Sequence, residues 1–299
     1  MKPAAFDYVA PTALDEVVDL LSRHGDEAKV LAGGQSLVPL MALRLVTPGV
    51  LIDLNRVEEL DYLRLQDHTL VVGALARHRA VEDAAKIRGR CPMVAEAVGS
   101  IGHVAIRNRG TVVGSLAHAD PAAEWPALAL ALDAELEAVG PNGSRSIPAS
   151  EFFVTYFTTA LAHDEVLKEV RFRLPPGRSG SAFVELARRH GDFAIAGAGA
   201  VLELGEDGLV QDARIVLMGV KDTAVRARVA ETLLVGRRPV EETLVEASAS
   251  VGDEIDPLSD LHASSDYRRH VARVLVRRAL STAWRRAGGS GFATKRGTG

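Results

Sequence analysis

Residues 30–37 read Val30-Leu31-Ala32-Gly33-Gly34-Gln35-Ser36-Leu37: a short apolar run breaks at a pair of glycines and continues into a helical pattern. Without a Cβ atom, the two glycines leave bare backbone on which a ligand can lie directly. The residues after them stand at a predicted helix start, where unpaired N–H groups and the helix dipole favour an anion such as a phosphate. Many turns of this kind only connect a strand to a helix, so a second feature must support the interpretation.

That support comes from a second stretch of the same character. It reads Ile106-Arg107-Asn108-Arg109-Gly110-Thr111-Val112-Val113-Gly114-Ser115-Leu116-Ala117-His118-Ala119-Asp120-Pro121-Ala122-Ala123-Glu124-Trp125-Pro126. Glycines and small hydroxyl residues recur in it, and two arginines stand before its first glycine, so we predict a second glycine-rich loop. Two such loops could hold the two phosphates of one dinucleotide through backbone N–H groups, with few dedicated side chains.

Together the two stretches carry a family resemblance. The segments AGGQSL and RNRGTVVGSLAHADPAAE resemble the FAD-binding medium subunit of the molybdenum-containing hydroxylases, the group of xanthine dehydrogenase and aerobic carbon monoxide dehydrogenase. The likeness runs from Phe6 to about the last predicted helix. It implies an oxidoreductase subunit of the α+β class, with a PCMH-type FAD-binding fold of two subdomains followed by a C-terminal antiparallel sheet with helices.

The predicted domain organisation follows from chain length and from one proline-glycine cluster. A chain of 299 residues is long enough for about two domains. We place the boundary at Pro175-Pro176-Gly177. The predicted domains are an FAD-binding domain at 1–176, with subdomains at about 1–57 and 58–176, and a C-terminal flavoprotein domain at 177–287. The Gly- and Ser-rich residues 288–299 are predicted to be a disordered tail.

The predicted secondary structure places the glycine pair in a βαβ unit. A strand at 29–32, a helix at 36–45 and a strand at 50–54 form this unit, and its ligand belongs at the carboxyl end of the first strand. Further elements are predicted as hairpins at 62–74 and 135–147, strands at 182–188, 194–204 and 209–220, and helices at 224–235, 240–251 and 267–286. The segment Gly197-Ala198-Gly199 imitates the start of a dinucleotide fingerprint but continues as a strand, which favours close strand packing.

Composition excludes several functional classes. With 47% hydrophobic and 25% charged residues the chain is typical of a globular protein, and its net charge of −4 gives no basic field for nucleic acid or a membrane surface. No apolar run reaches the roughly 18 residues of a membrane span, and no signal-peptide core is present, so a cytoplasmic location is predicted. The single cysteine, Cys91, can neither form an internal disulfide nor hold an iron–sulfur cluster, and is expected to be a small buried side chain.

What the resemblance implies is a relay between subunits. A molybdenum-binding large subunit hydroxylates a substrate, a small subunit passes electrons through 2Fe-2S clusters, and the FAD on this chain delivers them to an external acceptor. Under this interpretation the chain carries no catalytic residue and no metal of its own, and the assembly is a dimer of heterotrimers. Two alternatives stay open: a self-sufficient FAD-dependent oxidase or dehydrogenase of the same fold, and a scaffold that has lost FAD. Substrate and acceptor (NAD, oxygen, a quinone or a carrier protein) stay open too.

The resemblance also implies which residues bind the cofactor. The first stretch would hold the pyrophosphate and the dimethylbenzene side of the flavin, Glu124 would accept from the ribose, Leu167 would contact the adenine, and Phe193 would cover the flavin near N5. Core packing is the alternative for Ile101, Leu167 and Phe193. The full predicted set is Val30, Leu31, Ala32, Gly33, Gly34, Gln35, Ser36, Leu37, Ile101, Gly110, Thr111, Gly114, Ser115, Ala117, His118, Asp120, Glu124, Leu167 and Phe193.

The last predicted helix is strongly basic and allows two interpretations. Its cationic residues are Arg268, Arg269, Arg273, Arg277 and Arg278. They form either a solvated face or a docking surface for a partner subunit.

Overall fold

A computed structural model describes residues 2–288 of the chain. Helices and strands are interspersed throughout, and most strand pairs are antiparallel, as expected for the predicted α+β class. The predicted disordered tail, apart from Gly288, lies outside the described residues.

The N-terminal sheet contains the βαβ unit predicted around the glycine pair. Its elements are β1 (Asp7–Val9), α1 (Leu14–His24), β2 (Ala28–Leu31), α2 (Leu37–Ala42) and β3 (Val50–Asp53). The strand order is β1-β3-β2, and β3 pairs with both neighbours in parallel. The glycine pair therefore follows the carboxyl end of β2, where a ligand is expected. The sequence does not predict β1, because three residues are too few to show alternation.

Helix α2 is shorter than predicted. It ends at Ala42 rather than at residue 45. Arg44 adopts a left-handed backbone conformation with φ of 60°, which cannot continue a right-handed helix. With only six residues, α2 has a weak macrodipole, so any anion site before it must depend on individual N–H groups.

The second sheet lies in the middle of the chain and is antiparallel. Its strands and the helices between them are β4 (Leu63–Gln66), β5 (Thr69–Gly73), α3 (His78–Asp83), α4 (Ala85–Arg90), α5 (Pro92–Ser100), α6 (Val104–Arg107), α7 (Val112–His118), α8 (Glu124–Ala131), β6 (Glu135–Gly140), β7 (Gly143–Pro148), α9 (Ala149–Phe152), β8 (Phe153–Thr155), β9 (Thr158–Thr159) and β10 (Val166–Arg173). The order is β4-β5-β10-β6-β7, with β8 and β9 as a separate pair. Both predicted hairpins, β4-β5 and β6-β7, are present.

The sequence pattern does not predict helix α8. Every residue from 125 to 131 is buried, so the helix has no polar face and no helical period in its sequence. Trp125 at its start packs against Phe172 of β10, with ring centroids 5.5 Å apart. This helix is the centre of the first hydrophobic core, to which the N-terminal and middle sheets both contribute.

The C-terminal region is the predicted antiparallel sheet with a helical layer. Its elements are β11 (Ser179–Ala187), β12 (Ala194–Leu204), β13 (Val210–Met218), β14 (Val225–Arg226), α10 (Arg228–Leu234), α11 (Glu241–Ser250) and α12 (Ser265–Arg286). The strands pair in chain order, and the helices form a second hydrophobic core with one face of the sheet. Gly197-Ala198-Gly199 lies inside β12 as predicted: a Cβ atom on Gly199 would stand 2.9 Å from Met93 Cε.

The two regions are joined by ion pairs of Asp133. Asp133, which follows α8, accepts from Arg214 of β13 at 3.0 Å and from Arg226 of β14 at 2.9 Å. The Arg214 side chain is only 3% exposed, so its charge needs an anionic partner, and the half-exposed Asp133 is one. The ion pairs hold the C-terminal sheet against the turn after α8.

Helix α12 buries part of its arginine set and exposes Arg273, Arg277 and Arg278. Arg268 is buried, and its guanidinium donates to Ile195 O and to Asp260 at 2.5 Å each. Arg269 donates to Ile255 O at 2.8 Å. These residues attach α12 to neighbouring loops of the same chain, so a fully solvated basic face is wrong for this part of the helix.

Candidate functional site

A cleft of about 650 Å³ lies where the two glycine-rich stretches meet the loop between β11 and β12. The structure brings together all nineteen residues predicted from the sequence as its lining: Val30, Leu31, Ala32, Gly33, Gly34, Gln35, Ser36, Leu37, Ile101, Gly110, Thr111, Gly114, Ser115, Ala117, His118, Asp120, Glu124, Leu167 and Phe193. The cleft also contains residues that the sequence did not indicate, among them Lys29, His78, Phe157, His163 and Asp192. Its volume is in the range of small-molecule and cofactor sites.

The first stretch offers a row of free hydrogen-bond donors. The five consecutive backbone N–H groups from Gly33 to Leu37 donate to none of the described residues. Gly34 has φ of 72°, the left-handed conformation that turns the chain between β2 and α2. Gln35 Nε2 donates to Gly33 O at 3.0 Å and closes this turn from the side. A run of unpaired main-chain donors is the kind of arrangement that can hold an anion.

The two glycines of this stretch have different tasks. A Cβ atom on Gly33 would stand 2.5 Å from Arg109 O and 2.7 Å from Gly110 Cα. The missing Cβ atom of Gly33 therefore lets the second stretch approach closely, while Gly33 itself lines the cleft. At Gly34 a Cβ atom would meet only side chains of Leu31 and Val38, so its backbone conformation is the reason for glycine there.

Two polar side chains tie the stretches together, and the sequence gave little sign of either. Asn55 Nδ2 donates to Ala32 O at 2.9 Å, and the Arg77 guanidinium donates to Asn55 Oδ1 and to Arg109 O at 2.5 Å each. Asn55 follows β3 at the sheet edge that carries the glycine pair, which is a signal that could have identified it. Arg77 comes from the loop before α3, and no local pattern marks it.

The second stretch is largely helical, which corrects the predicted loop. Thr111 caps α7, and its Oγ1 accepts from Gly114 N at 3.1 Å. The glycine at 114 is needed for this cap, because a Cβ atom there would stand 2.5 Å from Thr111 Oγ1. Ala119 ends the helix with φ of 52°. Glycines that looked like loop punctuation are therefore close-packing positions around a short helix.

An aromatic pair forms another wall of the cleft. The rings of His118 and Phe157 are tilted, with centroids 5.1 Å apart. Phe157 N donates to Ala119 O at 3.2 Å, which brings the β8-β9 hairpin to the end of α7. Burial lowers the pKa of His118, which favours the neutral form of its ring. Asp120 uses Oδ1 to accept from Ala122 N at 2.9 Å and so shapes the turn before α8.

Two carboxyl groups, those of Glu124 and Glu185, have raised pKa values. Burial, with smaller contributions from Glu185 and Asp120, raises the pKa of the Glu124 carboxyl to about 8. Burial raises the pKa of the Glu185 carboxyl to about 7. Glu185 Oε2 is buried and has no hydrogen-bond partner among the described residues. Glu124 lines the cleft, whereas Glu185, on β11, is not among the lining residues.

The C-terminal region closes the cleft through a glycine turn. Gly191 has φ of 86°, and a Cβ atom there would stand 2.5 Å from the His103 ring and 3.0 Å from Gly102 O. Phe193 follows this turn with 76% of its side-chain surface exposed. The alternative that Phe193 is a core aromatic is therefore wrong. Its ring is free to contact a ligand at the rim of the cleft.

Ile101 and Leu167 pack in or against the hydrophobic core and also line the cleft. Leu167 belongs to the buried core, and Ile101 packs against that core, yet each borders the cleft. The turn after Ile101 is fixed by Arg107, whose guanidinium donates to Ile101 O at 3.0 Å and to Gly102 O at 3.2 Å. Glu82 neutralises this buried arginine at 2.9 Å. Arg107 thus holds the segment that Gly191 contacts.

No cluster of three or more His, Cys, Asp or Glu side chains suited to a metal ion occurs among residues 2–288. Cys91 is fully buried, as predicted, and burial raises the pKa of its thiol to about 11. Within the same described part of the chain, no helix is both long and apolar enough to cross a membrane.

Two family models match the chain. The model described as the FAD binding domain in molybdopterin dehydrogenase matches residues 4–175, and the model described as the CO dehydrogenase flavoprotein C-terminal domain matches residues 181–283. Together they cover both sides of the cleft.

Similar proteins span nearly the whole chain. The alpha subunit of the 6-hydroxypseudooxynicotine dehydrogenase complex of Paenarthrobacter nicotinovorans is 42% identical over 96% of this chain and 97% of its own length. The carbon monoxide dehydrogenase medium chain of Hydrogenophaga pseudoflava is 37% identical over 96% of this chain and 99% of its own length.

Solved structures are similar to this chain over nearly its whole length. A carbon monoxide dehydrogenase chain from Hydrogenophaga pseudoflava superposes with a TM-score of 0.92 at 39% identity, covering 96% of this chain and 99% of that chain. A chain of quinoline 2-oxidoreductase from Pseudomonas putida 86 gives 0.90 at 37% identity, with the same coverage of 96% and 99%. Since the family models, the relatives and the folds all coincide, the chain belongs to the FAD-binding medium subunits of the molybdenum hydroxylase family and is an FAD-dependent oxidoreductase subunit.

Proposed function

We propose that this chain is the electron-transfer subunit of a molybdenum-dependent hydroxylase or dehydrogenase complex. It takes electrons from an iron–sulfur partner subunit and passes them to an external acceptor. The observation that carries the proposal is the row of five unpaired backbone N–H groups from Gly33 to Leu37, which opens onto a cleft of about 650 Å³. FAD bound there supplies the redox chemistry, while the chain binds and orients it.

The residues present fit FAD. A pyrophosphate requires several converging donors, and the free N–H groups of the first stretch supply them without a counter-cation. The apolar side chains of Val30, Ile101 and Leu167 suit the flat aromatic parts of the cofactor. We propose the nineteen predicted lining residues as the FAD site, with Phe193 at the exposed rim, where an acceptor would approach.

The chain presents an apolar surface that suits the iron–sulfur partner. Val38, Leu43 and Leu45, on and just after α2, are 49%, 55% and 70% exposed. We name these three residues the α2 patch. The patch begins directly after the first glycine-rich stretch, so a partner seated on it is close to the proposed cofactor. Exposed apolar groups that lie together are a common sign of a protein interface.

The metal cofactors belong to partner chains in this proposal. The only cysteine is Cys91, and an iron–sulfur cluster needs about four protein ligands. We therefore assign the 2Fe-2S clusters to a small subunit and the molybdenum cofactor to a large subunit, in a dimer of heterotrimers. The proposed location is the cytoplasm, where a single free thiol stays reduced. We also propose that Pro175-Pro176-Gly177 divides an FAD-binding domain at 1–176 from a flavoprotein domain at 177–287.

Native purification with a tag on this chain tests the proposal. We expect FAD, molybdenum, iron–sulfur absorbance and two co-purifying chains. The purified chain alone should retain FAD but show no flavin reduction by a candidate organic substrate, because substrate oxidation belongs to the partner. Reduction of FAD on the lone chain by such a substrate would favour a self-sufficient oxidase or dehydrogenase instead.

A further inference from the structure

His78 is a buried histidine that lines the cleft beside the second glycine-rich stretch. It is the first residue of α3 and is 5% exposed. Its backbone N–H donates to Gly110 O at 3.0 Å. A Cβ atom on Gly110 would stand 2.8 Å from His78 Nε2, so only glycine allows the loop to approach the ring this closely. These contacts fix the position of the imidazole at the border of the cleft.

Trp125 fixes the tautomer of this ring. The indole Nε1–H donates to His78 Nδ1 at 3.0 Å, and the two rings are stacked with an interplanar angle of 17°. An indole N–H can only donate, so His78 Nδ1 must carry a free lone pair. The proton of the neutral imidazole is therefore on Nε2.

The surroundings also disfavour a second proton on the ring. Burial is the main cause, and the cations Arg107 and Arg77 add to it, which lowers the pKa of His78 to about 4. An imidazolium would in addition have no lone pair with which to accept from Trp125. At neutral pH His78 is thus an uncharged side chain with one N–H group at a fixed position.

That N–H group has no acceptor among the residues the structure describes, although the side chain is almost completely buried. The Nε2 atom is not among the fully enclosed polar atoms that lack a partner, so it is accessible from the cleft that His78 borders, and its acceptor is expected to come from the contents of that cleft. Building on the FAD site proposed above, we propose that His78 Nε2–H donates a hydrogen bond to an oxygen atom of the bound FAD. The cofactor offers phosphate oxygens and ring carbonyl oxygens as acceptors, and either suits a neutral donor.

The first test measures FAD affinity. The full chain, freed of flavin and titrated with FAD, is compared with His78→Leu and His78→Gln. Leucine removes the donor, and we expect it to raise the Kd for FAD about tenfold. Glutamine places an amide N–H near the position of Nε2, so it should restore most of the affinity. His270→Leu, at an exposed position on α12, is the control and should leave the Kd unchanged.

A second test begins with the wild-type chain, so its main result does not depend on the folding of a variant. In the full chain with ¹⁵N-labelled histidine, we expect His78 to show a protonated Nε2 and an unprotonated Nδ1. Adding FAD should shift the Nε2–H resonance and slow its exchange with water. Trp125→Phe should release the tautomer, with both nitrogens partly protonated.

The outcomes separate the two proposals. If the wild-type chain binds no FAD, the proposed function itself fails. If it binds FAD while His78→Leu keeps the same affinity, or while the Nε2–H resonance is unmoved by FAD, only the role of His78 is overturned.

Discussion

Gly33 and Gly110 lie so close together that a Cβ atom on Gly33 would stand 2.7 Å from Gly110 Cα. The same Cβ atom would stand even closer, at 2.5 Å, to Arg109 O, which is also a main-chain atom. Backbone cannot move aside as the end of a flexible side chain can. The two glycine-rich stretches are therefore one structural unit, and the free N–H groups of the first are oriented by its contact with the second.

The first prediction concerns Gly33→Ala. The added methyl group would push the two stretches apart, so we expect loss of FAD retention and a fall of about 2–3 kcal/mol in the free energy of unfolding. Flavin content after purification and urea unfolding of the full chain measure both effects. Gly99→Ala is the matched control, since a Cβ atom at this position in α5 meets nothing within 4 Å. Equal behaviour of the two variants would contradict the packing argument.

The elements that the sequence predicts correctly are those in which local pattern and topology coincide. The βαβ unit, both hairpins and the long strand β12 each carry a periodic or turn signal, and the chain direction places the Gly33-Gly34 pair at a ligand-binding edge. It failed where tertiary packing determines the conformation. Helix α7 looked like a loop because Gly110 before it and Gly114 within it serve close contacts, and α8 showed no period because all its sides are buried.

The side chains that organise the cleft were the hardest to foresee. Asn55, Arg77 and His78 come from segments between the two glycine-rich stretches and act through a few hydrogen bonds to residues distant in sequence. A hydrogen bond between residues distant in sequence leaves no periodic trace. In addition, the family resemblance implies which residues contact the cofactor. It does not imply which residues position those cofactor-binding segments.

The second prediction concerns Asn55 and Arg77, whose hydrogen bonds link Ala32 O to Arg109 O. Asn55→Ala and Arg77→Met should each raise the Kd for FAD about tenfold, because either change opens the link. Since the two side chains act in series, the double variant should be no weaker than the weaker single variant. FAD titration of the four proteins measures this.

Arg79→Met is the control for Arg77→Met, because the pairs that Arg79 makes among residues 2–288 are with Glu82 and Asp83 on its own helix. It should bind FAD as the wild type does. Additive losses in the Asn55 and Arg77 variants would mean that the two residues act independently.

The third prediction uses the raised pKa of Glu124. The folded chain binds this proton more tightly than the unfolded chain, so the resulting loss of stability grows as pH rises from the ordinary pKa of 4.5 to about 8. Glu124→Gln cannot ionise. It should match the wild type near pH 4.5 and exceed it by at least about 1 kcal/mol at pH 8. Urea unfolding of the FAD-free chain across this range measures the difference, and Glu206→Gln, at an exposed position, should show none.

A difference between Glu124→Gln and wild type that stays constant from pH 4.5 to 8 would contradict the raised pKa. A difference of opposite sign would mean that the ionised carboxylate has a partner in the folded chain.

The fourth prediction separates a rim position from a core position. Phe193 is 76% exposed, whereas Phe183 on the neighbouring strand is 4% exposed. Phe193→Ala should change the free energy of unfolding by less than about 0.5 kcal/mol. Phe183→Ala should lower it by about 3–5 kcal/mol. If Phe193 covers the flavin, its removal should also speed the reaction of reduced FAD with an external acceptor, which stopped-flow absorbance measures. A similar loss of stability in both variants would contradict the rim position.

The fifth prediction tests the α2 patch as the seat of the iron–sulfur subunit. Leu45→Asp places a charge within an exposed apolar surface, and burying that charge against a partner is costly, so affinity should fall at least about tenfold. FAD content should stay unchanged, because Leu45 does not line the cleft. Leu261→Asp is the matched control: this leucine is 99% exposed and lies in the loop before α12.

Co-purification of the iron–sulfur chain and its absorbance measure the loss, and only Leu45→Asp should reduce them. If both aspartate variants retain the partner, the patch is not the interface, and electrons must enter at another side of the cleft. If both lose it, the change acts through general solubility rather than through a seat beside the first glycine-rich stretch. A selective loss at Leu45 would connect the fold of the βαβ unit directly to electron entry, since the same turn would carry the cofactor donors and begin the docking surface.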